Sequence, residues 1–303
     1  MTDKNLRTVI FGVKGIALQA FTCLFNEGAD IVAVVTTESP ENARLHDAAS
    51  RKGISVFHDA CADALAPLQP ERGLVFSYPR RIGDDVLELC TGGVYNFHPA
   101  RLPDYRGCLP TVWPILNGDE QAECTVHRVV RDFDAGDVVY TRSVAIDRRE
   151  TGYSLYGKLM DAEVTLLADH PQLWRQSRLT GEPQDESRAQ YFRNRLPGGG
   201  RIDWTQPAVT VERFVRAVYH PDFRCAYTEC EELTVEILDA ELSRELAPAG
   251  AAGKVFCDTA RQRLLIGCGD ELLSIRRIRL KDQIWDEDLV SKITQHVPHL
   301  VHS

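Results

Sequence analysis

The sequence predicts an α/β protein with an open, mostly parallel, Rossmann-like sheet and a smaller, β-rich C-terminal domain that forms an OB-like barrel. Two observations carry this prediction. Short apolar strands alternate with helical patterns over the first hundred residues, whereas the last hundred are strand-rich, and the run Leu196-Pro197-Gly198-Gly199-Gly200 separates the two textures. At roughly 150 residues per domain, 303 residues suggest two domains, expected at 1–198 and 199–303.

The N-terminal elements follow a β-α-β rhythm. A β-rich run over 7–11 leads through Gly12 and Gly15 into a helical pattern over 16–25, and a continuous apolar strand follows at 31–35. Such apolar strands favour a parallel sheet covered on both faces. The rhythm continues with a helix at 41–52, strands at 54–57 and 73–78, a helix at 84–90 and a strand at 93–97. In open α/β sheets, ligands bind beyond the carboxyl ends of the strands.

The C-terminal part contains one predicted helix, at 209–218, followed by short strands split by Gly and Asp turns. These strands are expected at 233–238, 253–257, 263–266 and 272–275. Their number and spacing favour a small barrel.

Composition makes several function classes less favoured. Lys and Arg total 35 against 44 for Asp and Glu, a net charge of −9, so nucleic-acid binding would need a local basic patch. No apolar run approaches the roughly 20 residues of a membrane span, and the start lacks the apolar core of a signal peptide, so a cytoplasmic location is expected. The nine cysteines are expected to be reduced. A zinc site at His220, Cys225 and Cys230 is disfavoured, because metal ligands usually come in tighter pairs.

Three segments carry residues suited to chemistry. Gly12-Val13-Lys14-Gly15 lacks the third glycine of a dinucleotide loop, so a tight turn is predicted there. Asn96 and His98 lie two apart at a strand end, so their side chains share one face. An amide can stabilise an oxyanion and an imidazole can shuttle a proton, although such a pair can also be purely structural.

The third segment is the acidic turn around Asp134-Ala135-Gly136. Asp134 could orient His98 or take a proton from it. Two alternatives stay open at this stage: a calcium loop, although the EF-hand spacing is absent, and Asp132, Asp134 and Asp137 acting only as turn formers.

These motifs together resemble the 10-formyltetrahydrofolate-dependent formyltransferases. The resemblance is closest to sugar N-formyltransferases of the 4-amino-4-deoxyarabinose type and extends to methionyl-tRNA formyltransferase. It rests on Asn96-Phe97-His98-Pro99, Leu102-Pro103-Asp104-Tyr105-Arg106-Gly107, Asp134-Ala135-Gly136 and, at the domain junction, Ile202-Asp203-Trp204.

The resemblance implies a catalytic triad and a folate site. Asn96, His98 and Asp134 would be catalytic, 10-formyltetrahydrofolate would be the formyl donor, and no metal is required. The folate would contact two segments, formed by Arg80, Arg81 and Ile82 and by Val130, Arg131, Asp132, Phe133 and Asp134. Cys108 departs from the pattern, because aminoarabinose-modifying relatives carry arginine there.

The acceptor is expected to be a small amine, with a nucleotide-linked amino sugar favoured by Phe76-Ser77-Tyr78 and Arg80. Relatives that formylate initiator tRNA carry a basic insertion after the second strand, and residues 36–46 here are short and not basic. The alternatives are methionyl-tRNA, a hydroxylated amino acid in siderophore assembly, hydrolysis of the donor, or a non-catalytic folate-binding protein. A homodimer is a further expectation.

Overall fold

The protein is described here by a computed structural model that covers residues 5–223, 225–230, 233–286, 288–296 and 301–302. The expected β-α-β alternation is confirmed, with an additional short helix before the fourth strand. The elements are β1 (Thr8–Gly12), α1 (Lys14–Asn26), β2 (Ile31–Val35), α2 (Ala43–Arg51), β3 (Ser55–Phe57), α3 (Ala62–Leu65), β4 (Arg72–Phe76), α4 (Asp84–Leu89) and β5 (Val94–His98).

Seven strands form the first sheet, in the order β3-β2-β1-β4-β5 followed by β7 (Gln121–Arg128) and β8 (Val138–Ala145). The first five are parallel, whereas β7 is antiparallel to both β5 and β8. Val9, Ile10 and Phe11 of β1 are fully buried, as expected for a central strand covered on both faces. The turn after β1 is tight, since a side chain at Gly12 would meet Ala17.

The middle of the chain contributes further elements. They are the two-residue strand β6 (Arg106–Gly107), α5 (Val112–Asn117), α6 (Gly152–Asp169), α7 (Gln172–Arg175) and β9 (Tyr191–Phe192), which pairs in parallel with β6. Helix α6 is not among the elements predicted from the sequence. Its signal is present, because Leu155, Leu159, Ala162 and Leu166 recur every three or four residues and are buried.

The C-terminal part is β-rich, as predicted. Its elements are α8 (Ala208–Ala217), β10 (Ala226–Cys230), β11 (Leu233–Leu246), β12 (Val255–Asp258), β13 (Arg263–Gly267), β14 (Glu271–Leu280), β15 (Gln283–Trp285), α9 (Leu289–His296) and β16 (Val301–His302). The sheet order is β10-β11-β14-β13-β12-β16, with β15 beside β14. Over the described residues the end strands β10 and β16 do not pair, so the sheet is open and the expected barrel closure is not seen.

The chain divides into two compact units. The first comprises the residues up to Pro110 together with Gln121–Ala145 and Gly157–Arg193. The second comprises Thr111–Glu120, Ile146–Tyr156 and the residues from Asn194 onward. Within the described parts of the chain, no helix has the length and apolar character needed to cross a membrane.

Candidate active site

The carboxyl end of β5 carries two polar side chains on one face. Asn96 and His98 flank Phe97, which points to the other face and stacks on Phe76 with ring centroids 4.5 Å apart. The antiparallel register sets Asn96 opposite His127 of β7 and His98 opposite Thr125. Because Phe97 packs on one face of the sheet, Asn96 and His98 both point to the opposite face.

His98 is buried, and each of its ring nitrogens has a defined neighbour. Nε2 lies 2.9 Å from the carbonyl oxygen of Tyr105, which can only accept, so Nε2 carries a proton and donates it. Nδ1 faces Asp134, with 3.8 Å between Nδ1 and Oδ1. The Tyr105 carbonyl thus fixes the ring orientation and leaves Nδ1 for proton exchange.

Asp134 reaches this face from the turn between β7 and β8. Its backbone is in the left-handed region, at φ 54°, a conformation that aspartate tolerates better than most residues. Gly136 is required two positions later, because a Cβ there would lie 1.9 Å from the Arg128 carbonyl oxygen. The Gly107 N–H donates to Oδ2 of Asp134 at 2.8 Å. The turn, β6 and β5 therefore converge on one carboxylate.

His127 lies between Asn96 and Asp134, and the sequence motifs predict no role for it. Its Nε2 lies 3.1 Å from Nδ2 of Asn96 and 3.3 Å from Oδ1 of Asp134, while Nδ1 donates to the Arg128 carbonyl. Without a proton, Nε2 accepts from the Asn96 amide; with one, it donates to Asp134. The alternation along β7 places Thr125 and His127 on one face, but only the register with β5 brings that face to Asn96.

The Asp134 carboxyl group is held in its ionised form. Burial on its own would raise its pKa, but His98, His127 and the Gly107 N–H outweigh burial and bring the pKa well below the usual aspartate value. Asp134 is therefore an anion throughout the neutral pH range, and it can stabilise positive charge on either imidazole.

The predicted folate residues of the first segment lie in different environments. Arg80 is exposed, and its Nη1 donates to the His58 carbonyl at 2.9 Å. Arg81 is also exposed, and its Nη2 donates to the carbonyl of Arg131 at 3.1 Å, which joins the two predicted folate segments. The Ile82 side chain is buried in the core of the first unit, so it attaches this segment to the core and is not available to contact a ligand.

The second predicted folate segment is a surface loop that leads to Asp134. Arg131 and Asp132 are exposed, and so are two apolar side chains, with Val130 at 39% and Phe133 at 62%. Exposed apolar residues next to a buried carboxylate are suited to covering a flat ring.

A metal site and a cavity in the second unit are weaker candidates for the functional site. Over the described residues, no group of three or more His, Cys, Asp or Glu is arranged to hold a metal, and the eight cysteines with described side chains are free thiols; the side chain of Cys230 lies outside the described set. A cavity of about 540 Å³ lies within the second unit. Two of its arginines are paired with acids, Arg216 with Glu212 and Arg149 with Asp239, so the converging groups at β5 are the better candidate.

Two sequence families match the chain. The model described as "Formyl transferase" matches residues 19–170, half of the chain, and the model "Formyl transferase, C-terminal domain" matches residues 197–285. The chain belongs to the formyl transferase family. The resemblance deduced from the motifs is thereby confirmed.

Solved structures share the fold of this formyl transferase. An N-formyltransferase from Helicobacter canadensis, in complex with folinic acid and dTDP-3-aminofucose, superposes with a TM-score of 0.70 at 18% identity, over 89% of this chain and 99% of that one. WlaRD, a sugar 3N-formyltransferase crystallised with dTDP and 5-N-formyl-THF, gives 0.69 at 16% identity, over 92% and 99%. HypX from Aquifex aeolicus with tetrahydrofolic acid gives 0.62 at 19% identity, over 99% of this chain and 49% of HypX.

Proposed function

We propose that this formyl transferase moves a formyl group from 10-formyltetrahydrofolate to the amine of a small, nucleotide-linked amino sugar. The observation that carries the proposal is the convergence of Asn96, His98 and Asp134. A shared neighbour links them, since Asn96 and Asp134 both approach Nε2 of His127, and Asp134 also faces His98. An amide, an imidazole and an ionised carboxylate in one largely buried cluster are suited to acyl transfer.

Asn96 is the proposed stabiliser of developing negative charge. As the neutral amine forms a bond to the formyl carbon, the formyl oxygen gains charge, and the Asn96 Nδ2–H groups can donate to it. One such donor typically contributes ~3–4 kcal/mol to the barrier reduction. The amide carries two N–H groups, so the one that is not donated to Nε2 of His127 can make this bond.

His98 and Asp134 are the proposed proton-transfer pair. The bond from the formyl carbon to N10 of the folate breaks, and one proton has to move from the attacking amine to N10. His98 presents Nδ1 for this transfer because its Nε2 is engaged by Tyr105. Asp134 stabilises the imidazolium while it carries the proton, which is why a lowered aspartate pKa is useful here.

The folate donor fits the loop that precedes Asp134. This donor supplies an activated one-carbon unit that the protein only needs to position. Val130 and Phe133 offer an exposed apolar surface. The hydrogen bond from Arg81 to the Arg131 carbonyl holds the backbone of the loop between them. Solved structures of similar fold carry folinic acid, 5-N-formyl-THF or tetrahydrofolic acid, which supports this class of donor.

The acceptor class is supported by two observations. Structures of similar fold were crystallised with dTDP-3-aminofucose or dTDP. The net charge of −9 gives no general attraction to tRNA. Methionyl-tRNA and a hydroxylated amino acid are the competing acceptors.

The test follows tetrahydrofolate release from 10-formyltetrahydrofolate with a panel of amines: dTDP- and UDP-linked amino sugars, N-hydroxyornithine and initiator methionyl-tRNA. We expect amine-dependent release with a nucleotide sugar. The variants Asn96→Ala, His98→Ala and Asp134→Ala should each lower turnover by roughly two orders of magnitude with an unchanged circular dichroism spectrum. Near-normal turnover in two of them would refute the assignment.

The other outcomes identify the alternatives. Release without any amine indicates a hydrolase. Transfer to tRNA alone, with strong salt dependence, indicates the tRNA enzyme. Thermal stabilisation by folinic acid with no transfer to any acceptor indicates a folate-binding protein.

A further inference from the structure

The segment around residues 182–192 lies between the ranges 19–170 and 197–285 matched by the two family models. We infer that Gln184 of this segment, held by Arg106, is a positioning residue that fixes the Asp134 turn for catalysis. This inference rests on the proposed function and assigns it a further residue. Glu182 hydrogen-bonds Val138 through both backbone groups, and β9 pairs with β6, so the segment is attached on both sides of the site.

Gln184 holds the Asp134 turn by its backbone. Its Nε2 donates to the carbonyl oxygens of Asp134 and Gly136, each at 2.7 Å. The Asp134 side chain is held separately by the Gly107 N–H. Asp134 is in the left-handed region, an uncommon backbone conformation that needs support. Holding the two carbonyls therefore fixes the backbone from which the carboxylate projects, while the Gly107 N–H sets the direction of the side chain.

Arg106 determines which way the Gln184 amide faces. Its guanidinium is buried, with 0% of the side chain exposed, and its Nε and Nη2 donate to Oε1 of Gln184 at 3.1 and 2.9 Å. A guanidinium can only donate, so Oε1 must face Arg106 and the NH₂ group must face the turn.

The remaining donors of Arg106 hold the guanidinium itself in place. Nη1 and Nη2 bind the two carboxylate oxygens of Glu186 at 3.1 and 2.6 Å, and Nη1 also donates to the Tyr191 hydroxyl at 2.8 Å. The guanidinium fork is thus satisfied by residues of the same segment. A chain of hydrogen bonds therefore runs from residues 182–192 through Arg106 and Gln184 to the Asp134 turn, and we call this chain the relay. Arg106 also directly precedes Gly107, whose N–H binds the Asp134 carboxylate.

The variant Gln184→Glu tests whether the hydrogen bonds to the Asp134 turn position the carboxylate, because it removes those donors and leaves the side-chain shape nearly unchanged. Glutamate has nearly the same shape and keeps an oxygen for Arg106, but it replaces the two N–H donors by an oxygen that faces two carbonyls. We expect kcat to fall about 10- to 100-fold, because misplacement of a catalytic group by about 1 Å has effects of this size. Amide hydrogen exchange over residues 132–137 should accelerate. Gln190→Glu is the matched control, since it makes the same chemical change at an exposed side chain of the same segment.

A double-mutant cycle with Asp134→Asn distinguishes positioning from general stability. If Gln184 acts through Asp134, adding Gln184→Glu to Asp134→Asn should change kcat by less than about twofold. An equal loss in both backgrounds, or a Gln184→Glu enzyme with normal kcat, would overturn the inference. If Gln184→Glu does not fold, Gln184→Met, which also lacks the donors, takes its place. Absence of transfer by the wild-type protein and Gln190→Glu would instead count against the proposed function, and the exchange rates would still test the relay.

Discussion

A buried glutamate on α6 should make the stability of this protein fall as the pH rises. Glu163 is fully buried, and neither carboxylate oxygen has a hydrogen-bond partner among the described residues. Burial therefore raises its pKa well above the usual value, and burial also raises the pKa of the neighbouring Cys124 thiol, with a smaller contribution from Glu163. The folded protein holds a proton on Glu163 that the unfolded chain releases near pH 4.3.

The magnitude follows from the count of one proton. Between the unfolded and the folded pKa, unfolding releases this proton, so the free energy of unfolding decreases by about 1.4 kcal/mol for each pH unit. Below the unfolded pKa both states are protonated, and the stability is fully present. Glu163→Gln removes the titration while keeping the side-chain size. The stability difference between Glu163→Gln and wild type should thus grow by about 3 kcal/mol over two pH units.

The assay is urea unfolding followed by tryptophan fluorescence at pH 5, 6, 7 and 8. Only the slope of the stability difference against pH is informative, because the new amide has its own buried polar atoms. Glu88→Gln, at an exposed position of α4, is the control and should give a flat difference. Parallel pH profiles for Glu163→Gln and wild type would show that the buried carboxyl group does not retain its proton, and would refute the reasoning.

Three further predictions concern the site, the turn that supports it and a glycine of α6. The pKa of the exposed Cys108 thiol is raised by partial burial and by Asp134, so Asp134→Asn should increase its alkylation by iodoacetamide several-fold at pH 7.5, measured on the labelled peptide by mass spectrometry; an unchanged rate would contradict this. Gly136→Ala should cost about 1–3 kcal/mol and at least a tenfold loss of turnover, because its methyl group meets the Arg128 carbonyl. Gly157→Ala, in α6 with open space around it, should stabilise the protein by up to ~1 kcal/mol, and chemical denaturation compares the two.

The alternation of strands and helices along the first hundred residues was sufficient to predict the parallel part of the first sheet. Apolar runs such as Ile31–Val35 are continuous because both faces of a central strand are covered, and this is visible in the sequence. The strand-rich C-terminal part was predictable for the same kind of reason. Its open sheet was not, since whether end strands pair depends on twist and register over the whole sheet.

The proposed site divides in the same way. Asn96, His98 and Asp134 are visible as polar residues in short motifs, and their spacing on one strand or in one turn is a local property. His127 and Gln184 are not, because the first acquires its position from the antiparallel register of β5 with β7 and the second from a segment fifty residues away in sequence. Pairing between distant segments is set by long-range packing, which local periodicity does not encode.

The sequence by itself determined the family, the β-α-β alternation of the first hundred residues and the identity of three polar groups, because these depend on residue type and near-neighbour spacing. Tertiary structure alone decided which atoms meet. It brought His127 between Asn96 and Asp134, directed Nδ1 of His98 toward the carboxylate, and placed Gln184 under the Asp134 turn. Hydrogen bonds are short and directional, so contacts between distant parts of the chain exist only once the packed sheet has set their distances.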